Sequence, residues 1–213
     1  MARSPYSPDE PVSRVSLILR IKERDEAAWH RFASLYGPLI YEWCRKCGLQ
    51  PSDASDIGQE TLSAVMKSIG SFEPTGSFRG WLWKINRRKI LDHLRRRERA
   101  AQAIGGTDFQ LRVQEVPEIP PEATSSSISG LDPVYERALD QIRQDFDGST
   151  WKAFWCMVVE HRPAAEIAEE LGWSGAERAE KVKGANRVRS AKRRVIDRLR
   201  SEFGELLQID QAE

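Results

Sequence analysis

The sequence predicts an all-α fold of two small helical domains joined by a flexible linker, and three observations carry that expectation. Apolar residues recur at helical spacing through most of the chain, and no alternating run of four or more residues suggests a strand. A Gly-, Pro- and Ser-rich stretch near the middle separates two helical blocks. With 213 residues, 40% of them hydrophobic and 31% charged, the chain has apolar material for two such cores.

Residues 1–13 hold Pro5, Pro8 and Pro11 without periodicity and read as a disordered tail. Val15, Leu17, Ile18, Leu19 and Ile21 predict a short helix. Asp25 then suits the N-cap of a second helix, in which Ala28, Trp29, Phe32 and Leu35 share one face. Gly37 and Pro38 are expected to break it, with Pro38 opening a third helix that buries Leu39, Ile40 and Trp43 and stops at Gly48. Ser52 is the expected cap of a helix over 53–68, whose apolar face is Ile57, Leu62, Val65, Met66 and Ile69. Pro74 and Gly76 make 70–77 a loop. A basic helix follows, opening with Phe78, Trp81, Leu82 and Ile85 and ending in Arg95-Arg96-Arg97-Glu98-Arg99. Residues 100–130, with Gly105-Gly106, Pro117, Pro120-Pro121 and Ser125-Ser126-Ser127, have linker composition. The second block carries helices near 133–146, 149–160 and 163–171 and a last basic helix ending around Leu207. The domain bounds expected are 14–99 and 131–213.

The formal net charge of +1 hides strong segregation. From Arg79 to Arg99 nine Lys and Arg stand against two acids, a net +7; from Arg178 to Arg200 ten stand against two, a net +8. Between them, Asp108 to Asp145 carries eight acids against three arginines, a net −5. Two cationic helices separated by acidic ground can touch a polyanion at two places. No apolar run approaches the roughly 20 residues of a membrane span, and the N-terminus has no signal-peptide core, so a cytoplasmic protein without membrane insertion is expected. Cys44, Cys47 and Cys156 make a poor disulfide framework, and Cys44-Arg45-Lys46-Cys47 lacks the second pair that zinc needs. Reduced thiols and no metal are expected. His93 and His161 read as surface residues. Without a phosphate loop, a nucleophile elbow or a paired metal motif, neither catalytic residues nor a cofactor are expected.

Arg162-Pro163-Ala164-Ala165-Glu166-Ile167-Ala168-Glu169-Glu170-Leu171-Gly172 reads as the first half of a helix-turn-helix. Ala168 is small enough for a close helix crossing, Ile167 and Leu171 point inward, and Gly172 supplies a left-handed turn. The basic helix beyond it should enter the major groove, where Arg and Lys suit guanine edges and Asn suits adenine. Its candidates are Lys183, Asn186, Arg187, Arg189, Ser190, Lys192, Arg193 and Arg194. The stretch from Trp173 to Gly184 exceeds the roughly three or four residues of a compact turn. An insertion of about eight residues is the favoured reading; the alternative starts the recognition helix earlier and holds Gly184 inside it at about 1 kcal/mol.

The other constellation is Asp53-Ala54-Ser55-Asp56-Ile57-Gly58-Gln59-Glu60-Thr61-Leu62, a loop, then Phe78-Arg79-Gly80-Trp81-Leu82-Trp83-Lys84-Ile85 and a basic tail through Asp92, Arg95 and Arg96. It resembles region two of the extracytoplasmic-function sigma factors of the sigma-70 family, and the helix-turn-helix resembles their region four. The likeness spans roughly residues 14–99 and 131–207. It implies a subunit that directs RNA polymerase core enzyme to specific promoter DNA and aids strand opening by binding energy alone. Asp53, Asp56, Gln59 and Glu60 would dock on the β′ clamp helices of the polymerase, acid against base favouring that partner. Ser71 and Ser77 would flank a pocket for a base flipped from the −10 element, while Arg79, Trp83, Lys84, Arg87, Arg88, Lys89, Arg95 and Arg96 follow its strand. The second block would read the −35 element and meet the β flap, and an anti-sigma factor is a further partner the likeness admits.

The sequence departs from the family pattern at Arg88, where Asn is usual, at Gly58, usually more apolar, and in the long turn after Gly172. Two elements about two helical turns apart on DNA are separated by roughly 70 Å, which about 30 linker residues can span when extended to about 100 Å. A free coil of that length averages only about 30 Å, so the polymerase would have to hold it extended. The competing reading is a polymerase-independent, two-domain helix-turn-helix regulator that binds palindromic duplex by itself.

Overall fold

The computed structural model describes residues 16–73, 76–102, 116–121 and 131–207, the side chains of 100–102 excepted. The tail expected over 1–13 and most of the linker expected over 100–130 lie outside the described residues. Among the described residues eight α-helices follow one another: α1 (Leu17–Lys22), α2 (Glu26–Lys46), α3 (Pro51–Ser68), α4 (Phe78–Gln102), α5 (Pro133–Ile142), α6 (Gly148–Val158), α7 (Ala164–Glu170) and α8 (Arg178–Leu207). No strand occurs among the described residues, in keeping with the all-α expectation.

Local chemistry sets most boundaries. The Asp25 carboxylate accepts from the Ala28 amide at 3.1 Å and caps α2, and Asp132 and Asp147 cap α5 and α6 in the same way. The expected break at Gly37-Pro38 does not occur: α2 is one helix of 21 residues with Pro38 inside it. Pro38 is exposed, while Leu35, Tyr36, Leu39 and Ile40 on the opposite side are buried. The apolar burial outweighs the roughly 3 kcal/mol that an interior proline costs. The third helix also starts earlier than expected, with Pro51 in its first turn and Gln50 as cap rather than Ser52. Met66, expected on its apolar face, is 52% exposed.

Helices α1 to α4 enclose a core of aromatic and branched residues that includes Leu17, Ile18, Phe32, Trp43, Ile57, Val65, Phe78 and Ile90. Asn86 on α4 is fully buried in it, and its Oδ1 lies 3.0 Å from Thr61 Oγ1 on α3 and 3.5 Å from Cys44 Sγ on α2. This polar link ties three helices in one register. The same core continues into α5 and the end of α8, through Val134, Leu139, Ile142, Val195, Phe203 and Leu206. Two tyrosines seal the junction: the Tyr36 hydroxyl donates to Leu206 O and the Tyr135 hydroxyl to Leu207 O, both at 2.7 Å. They satisfy carbonyls that the end of a helix otherwise leaves open. Burial pushes the Tyr36 phenol well above its ordinary range, so it stays a donor. Arg31 of α2 and Arg198 of α8 both pair with the buried carboxylate of Glu202.

A second, smaller core holds the helix-turn-helix together. It comprises Ala153, Cys156, Ala164, Ile167, Ala168, Ala185, Val188 and Ala191, with Met157, Leu171 and Trp173 beside it. Helix α8 has 30 residues and takes part in both cores. It begins at Arg178, so the favoured insertion is not what the structure contains. Gly184 lies inside the helix, and the packing explains why. A Cβ there would stand 2.7 Å from Trp173 O and 3.1 Å from the Ala168 Cβ. Glycine permits the close crossing of α7 and α8, which offsets its helix penalty. Gly172, at φ 65°, ends α7 as expected.

Replacing Gly184 by Ala is expected to destabilise the protein by about 1–3 kcal/mol through overpacking. The matched change Gly204→Ala, at a position with open space in the same helix, should be neutral or stabilising by up to about 1 kcal/mol. Urea unfolding of both variants checks the contrast. Tyr36→Phe strands the Leu206 carbonyl and should cost about 1–3 kcal/mol in the same assay.

Candidate nucleic-acid interface

Helix α4 buries one residue per turn, at Phe78, Leu82, Asn86, Ile90 and Leu94, with Trp83 beside them. That spacing of four leaves its cations on the remaining faces. Lys84, Arg88, Arg95 and Arg96 are exposed, and Arg87 and Lys89 are half-buried. A groove of about 430 Å³ runs between Lys84, Arg87, Arg88, Leu91, Arg95 and Glu118. Four cations around an open channel with an apolar floor at Leu91 suit a strand of alternating phosphate and base. Its chemistry is attraction and stacking.

Several expected residues stand elsewhere. Arg79 is engaged by both carboxylate oxygens of Asp132, at 2.8 and 3.1 Å. Trp83 is not on the surface: it is 1% exposed, stacks edge-on against Trp43, and donates its indole N–H to Glu118 O at 3.0 Å. Arg87 donates to Pro117 O at 2.9 Å. Ser71 is exposed and donates to Ser68 O, and Ser77 caps α4 by accepting from the Gly80 amide at 3.2 Å. Both lie at the ends of the loop, whose residues 74 and 75 are outside the described set.

The four polar residues of α3 expected to dock, Asp53, Asp56, Gln59 and Glu60, divide into two pairs. Asp53 meets Arg97 at 2.8 Å and His93 at 3.6 Å, and Glu60 meets Lys89 at 3.3 Å and Arg96 at 3.7 Å. These two carboxylates neutralise part of α4. The His93 side chain, 17% exposed against Asp53, is largely enclosed rather than a surface group. Asp56 and Gln59 point outward and are exposed, which leaves them free to meet another molecule. Gly58 is buried on the inner side of α3, where a Cβ would meet Ile40 of α2 at 4.0 Å, an ordinary contact.

On α8 the buried stripe Gly184, Ala185, Val188 and Ala191 faces the small core. Lys183, Asn186, Arg187, Arg189, Ser190, Arg193 and Arg194 are exposed and Lys192 half-buried, so the structure brings all eight candidates onto one helix. Arg187 lies over the Trp173 ring at 4.2 Å, and Asn186 accepts from Arg189 at 2.8 Å, which fixes both side chains in advance. Arg194 turns back to donate to Thr150 on α6 at 3.0 Å, and Arg193 faces Asp197 at 3.7 Å. Because the helix starts early, Arg178, Lys181 and the 54% exposed Val182 join its leading end. Sequence reasoning missed them. The signal was Glu180, whose carboxylate reaches back to the Glu177 amide at 3.3 Å in half of a capping box.

The cysteines carry no site. Burial pushes the Cys44 thiol up to about 12 and the Cys47 thiol up to about 11, so neither offers a thiolate near neutral pH. Among the described residues no three His, Cys, Asp or Glu gather as metal ligands, and no helix is long and apolar enough to cross a membrane.

Comparison with known proteins agrees with this geometry. Residues 32–100, which contain α3 and most of α2 and α4, match the family Sigma-70 region 2. The ECF RNA polymerase sigma factor SigE of Mycolicibacterium smegmatis is 30% identical over 57% of this chain and 47% of its own. The ECF RNA polymerase sigma factor SigF of Caulobacter vibrioides is 33% identical over 39% of this chain and 47% of its own. The RNA polymerase sigma factor NccH of Alcaligenes xylosoxydans is 28% identical over 47% of this chain and 54% of its own. The chain thus spans about half the length of the curated relatives it matches. The chain is thus similar to region 2 of the sigma-70 family over α3 and most of α2 and α4, and to RNA polymerase sigma factors, two of these three named as ECF sigma factors.

Proposed function

We propose that the protein directs RNA polymerase core enzyme to promoters and holds the DNA as its strands part. The observation that carries this reading is the cationic groove of α4 lying beside an α3 face that presents Asp56 and Gln59. One side of region 2 is thereby suited to a strand and the other to a protein with basic helices. Asp53 and Glu60, already paired within the fold, position α4 more than they recruit a partner. Lys84, Arg88, Arg95 and Arg96 follow the non-template strand of the −10 element, and the loop between Ser71 and Ser77 receives an unstacked base.

Helix α8 is the duplex reader in this proposal. Lys183, Asn186 and Arg187, with Arg178 and Lys181 ahead of them, enter the major groove at the −35 element, since the leading end of a recognition helix meets base edges. Arg193 and Arg194, nearer the scaffold, serve phosphates. Strand opening draws on binding energy, and the reading calls for no catalytic side chain. The polymerase-independent regulator has no specific observation in its favour, because the outward face of α3 would have no task.

Asp56→Ala combined with Gln59→Ala should weaken binding to core polymerase about tenfold, the worth of one charged hydrogen bond. Its affinity for duplex DNA alone should stay unchanged. Surface-immobilised core enzyme measures the first and fluorescence anisotropy the second; unaltered core binding would remove α3 as the docking face. Lys84→Ala with Arg88→Ala should lower the salt dependence of single-strand binding by about 1.4 in log–log slope, two phosphate contacts. A titration at several salt concentrations reads it, and an unchanged slope would displace the strand from this groove.

A further inference from the structure

The six residues Val116-Pro117-Glu118-Ile119-Pro120-Pro121 lie across α4 and α2 in an orderly way. Arg87 donates to the carbonyls of Val116 and Pro117, at 3.4 and 2.9 Å, Trp83 to that of Glu118 at 3.0 Å, and Trp43 to that of Pro121 at 3.1 Å. The segment therefore runs antiparallel to α4 from Arg87 to Trp83 and then reaches α2. Val116 is 4% exposed and anchors one end in the core, whereas Ile119, at 77%, points away. This is one layer of extended chain laid on a finished surface.

The chemistry is one-sided. Indole N–H and guanidinium groups are donors only, and a buried indole N–H needs an acceptor. Three of the six residues are prolines, which supply a carbonyl without an amide proton and hold the chain extended in advance. Glu118 adds a carboxylate to the groove lined by Lys84, Arg88 and Arg95. Acceptors in a row with a negative charge are also what a single strand of DNA offers. The two ligands compete for the same donors.

We propose that residues 116–121 are a strap that walls off one side of the strand-binding groove of α4 in cis, with Glu118 lining it, and must leave before that groove takes single-stranded DNA. The proposal rests on the strand-binding reading of the groove given above. Asp132, clamped on Arg79 at the start of α4, anchors the chain again beyond the strap, so movement of the second half away from the first would loosen both. When the strap is on, apparent affinity for a strand is reduced by the fraction of molecules that are open.

The test uses the full chain and a fluorescein-labelled oligothymidylate, with two measurements on each variant. Solvent exchange of the Trp83 indole proton by NMR, assigned with Trp83→Phe, reports whether the strap is seated; anisotropy reports strand affinity. Val116→Ser with Pro117→Gly and Pro121→Gly removes the anchor and the stiffness, and Glu118→Gln removes only the charge. The expected result is fast indole exchange and about fivefold or more tighter strand binding in the first variant, with a smaller gain in the second. Fast exchange with unchanged affinity, while Lys84→Ala and Arg88→Ala still weaken binding, would overturn the strap and leave the groove's function standing. If those two alanine changes also leave affinity unaltered, the groove does not bind a strand and both readings fall. Indole exchange unaffected by the triple change overturns the strap as well, since nothing was then seated by it.

Discussion

The structure depends on a conflict within α4, which is apolar enough to complete a core and yet carries a dense set of cations. Spacing of the buried residues by four confines the core contact to a narrow stripe and leaves nine Lys and Arg between Arg79 and Arg99 around it. Repulsion among those charges opposes folding, and the fold answers from three directions. Asp53 and Glu60 supply carboxylates from α3, Asp132 supplies one from the start of α5, and the carbonyls of 116–118 accept from Arg87 and Trp83. What these contacts leave open, at Lys84 and Arg88, marks the groove, with Arg95 facing Asp92 of its own helix at 3.7 Å.

The two cores differ in kind. The larger is built from aromatic and branched side chains, with five aromatic rings in mutual contact around Phe32, Tyr36, Phe72, Phe78 and Trp81. The smaller relies on alanines and one glycine, so its helices approach closely and bury little area each. Stability per residue is accordingly lower in the smaller core, because burial scales with apolar area. The helix-turn-helix leans on the larger core through the shared α8.

The helical class, the buried faces of α1 and α3 and the left-handed Gly172 were legible because period, caps and glycine act locally. What escaped was decided by partners distant in sequence. Pro38 reads as a break until Leu35, Tyr36, Leu39 and Ile40 are buried as α2 packs against α3, α4 and α5. Gly184 reads as a loop residue until Trp173 and Ala168 arrive against it. Trp83 looks like an exposed aromatic on a basic helix, yet its indole is enclosed by a carbonyl 35 residues further on. Charge counting located the cations of α4 but could not divide them between those paired by α3 and those left open.

Because α8 is continuous from the small core to the Tyr36 and Tyr135 hydroxyls, it behaves as a rigid boom pivoted near its end. The roughly 20 residues from Arg178 to Arg198 make an arm of about 30 Å, so tilting the pivot by about 10° swings the tip by about 5 Å. That is more than the spacing between neighbouring base pairs. Modest rearrangement among Arg31, Glu202 and Arg198 near that pivot would therefore be geared up into a displacement of the Arg178 end by several ångströms.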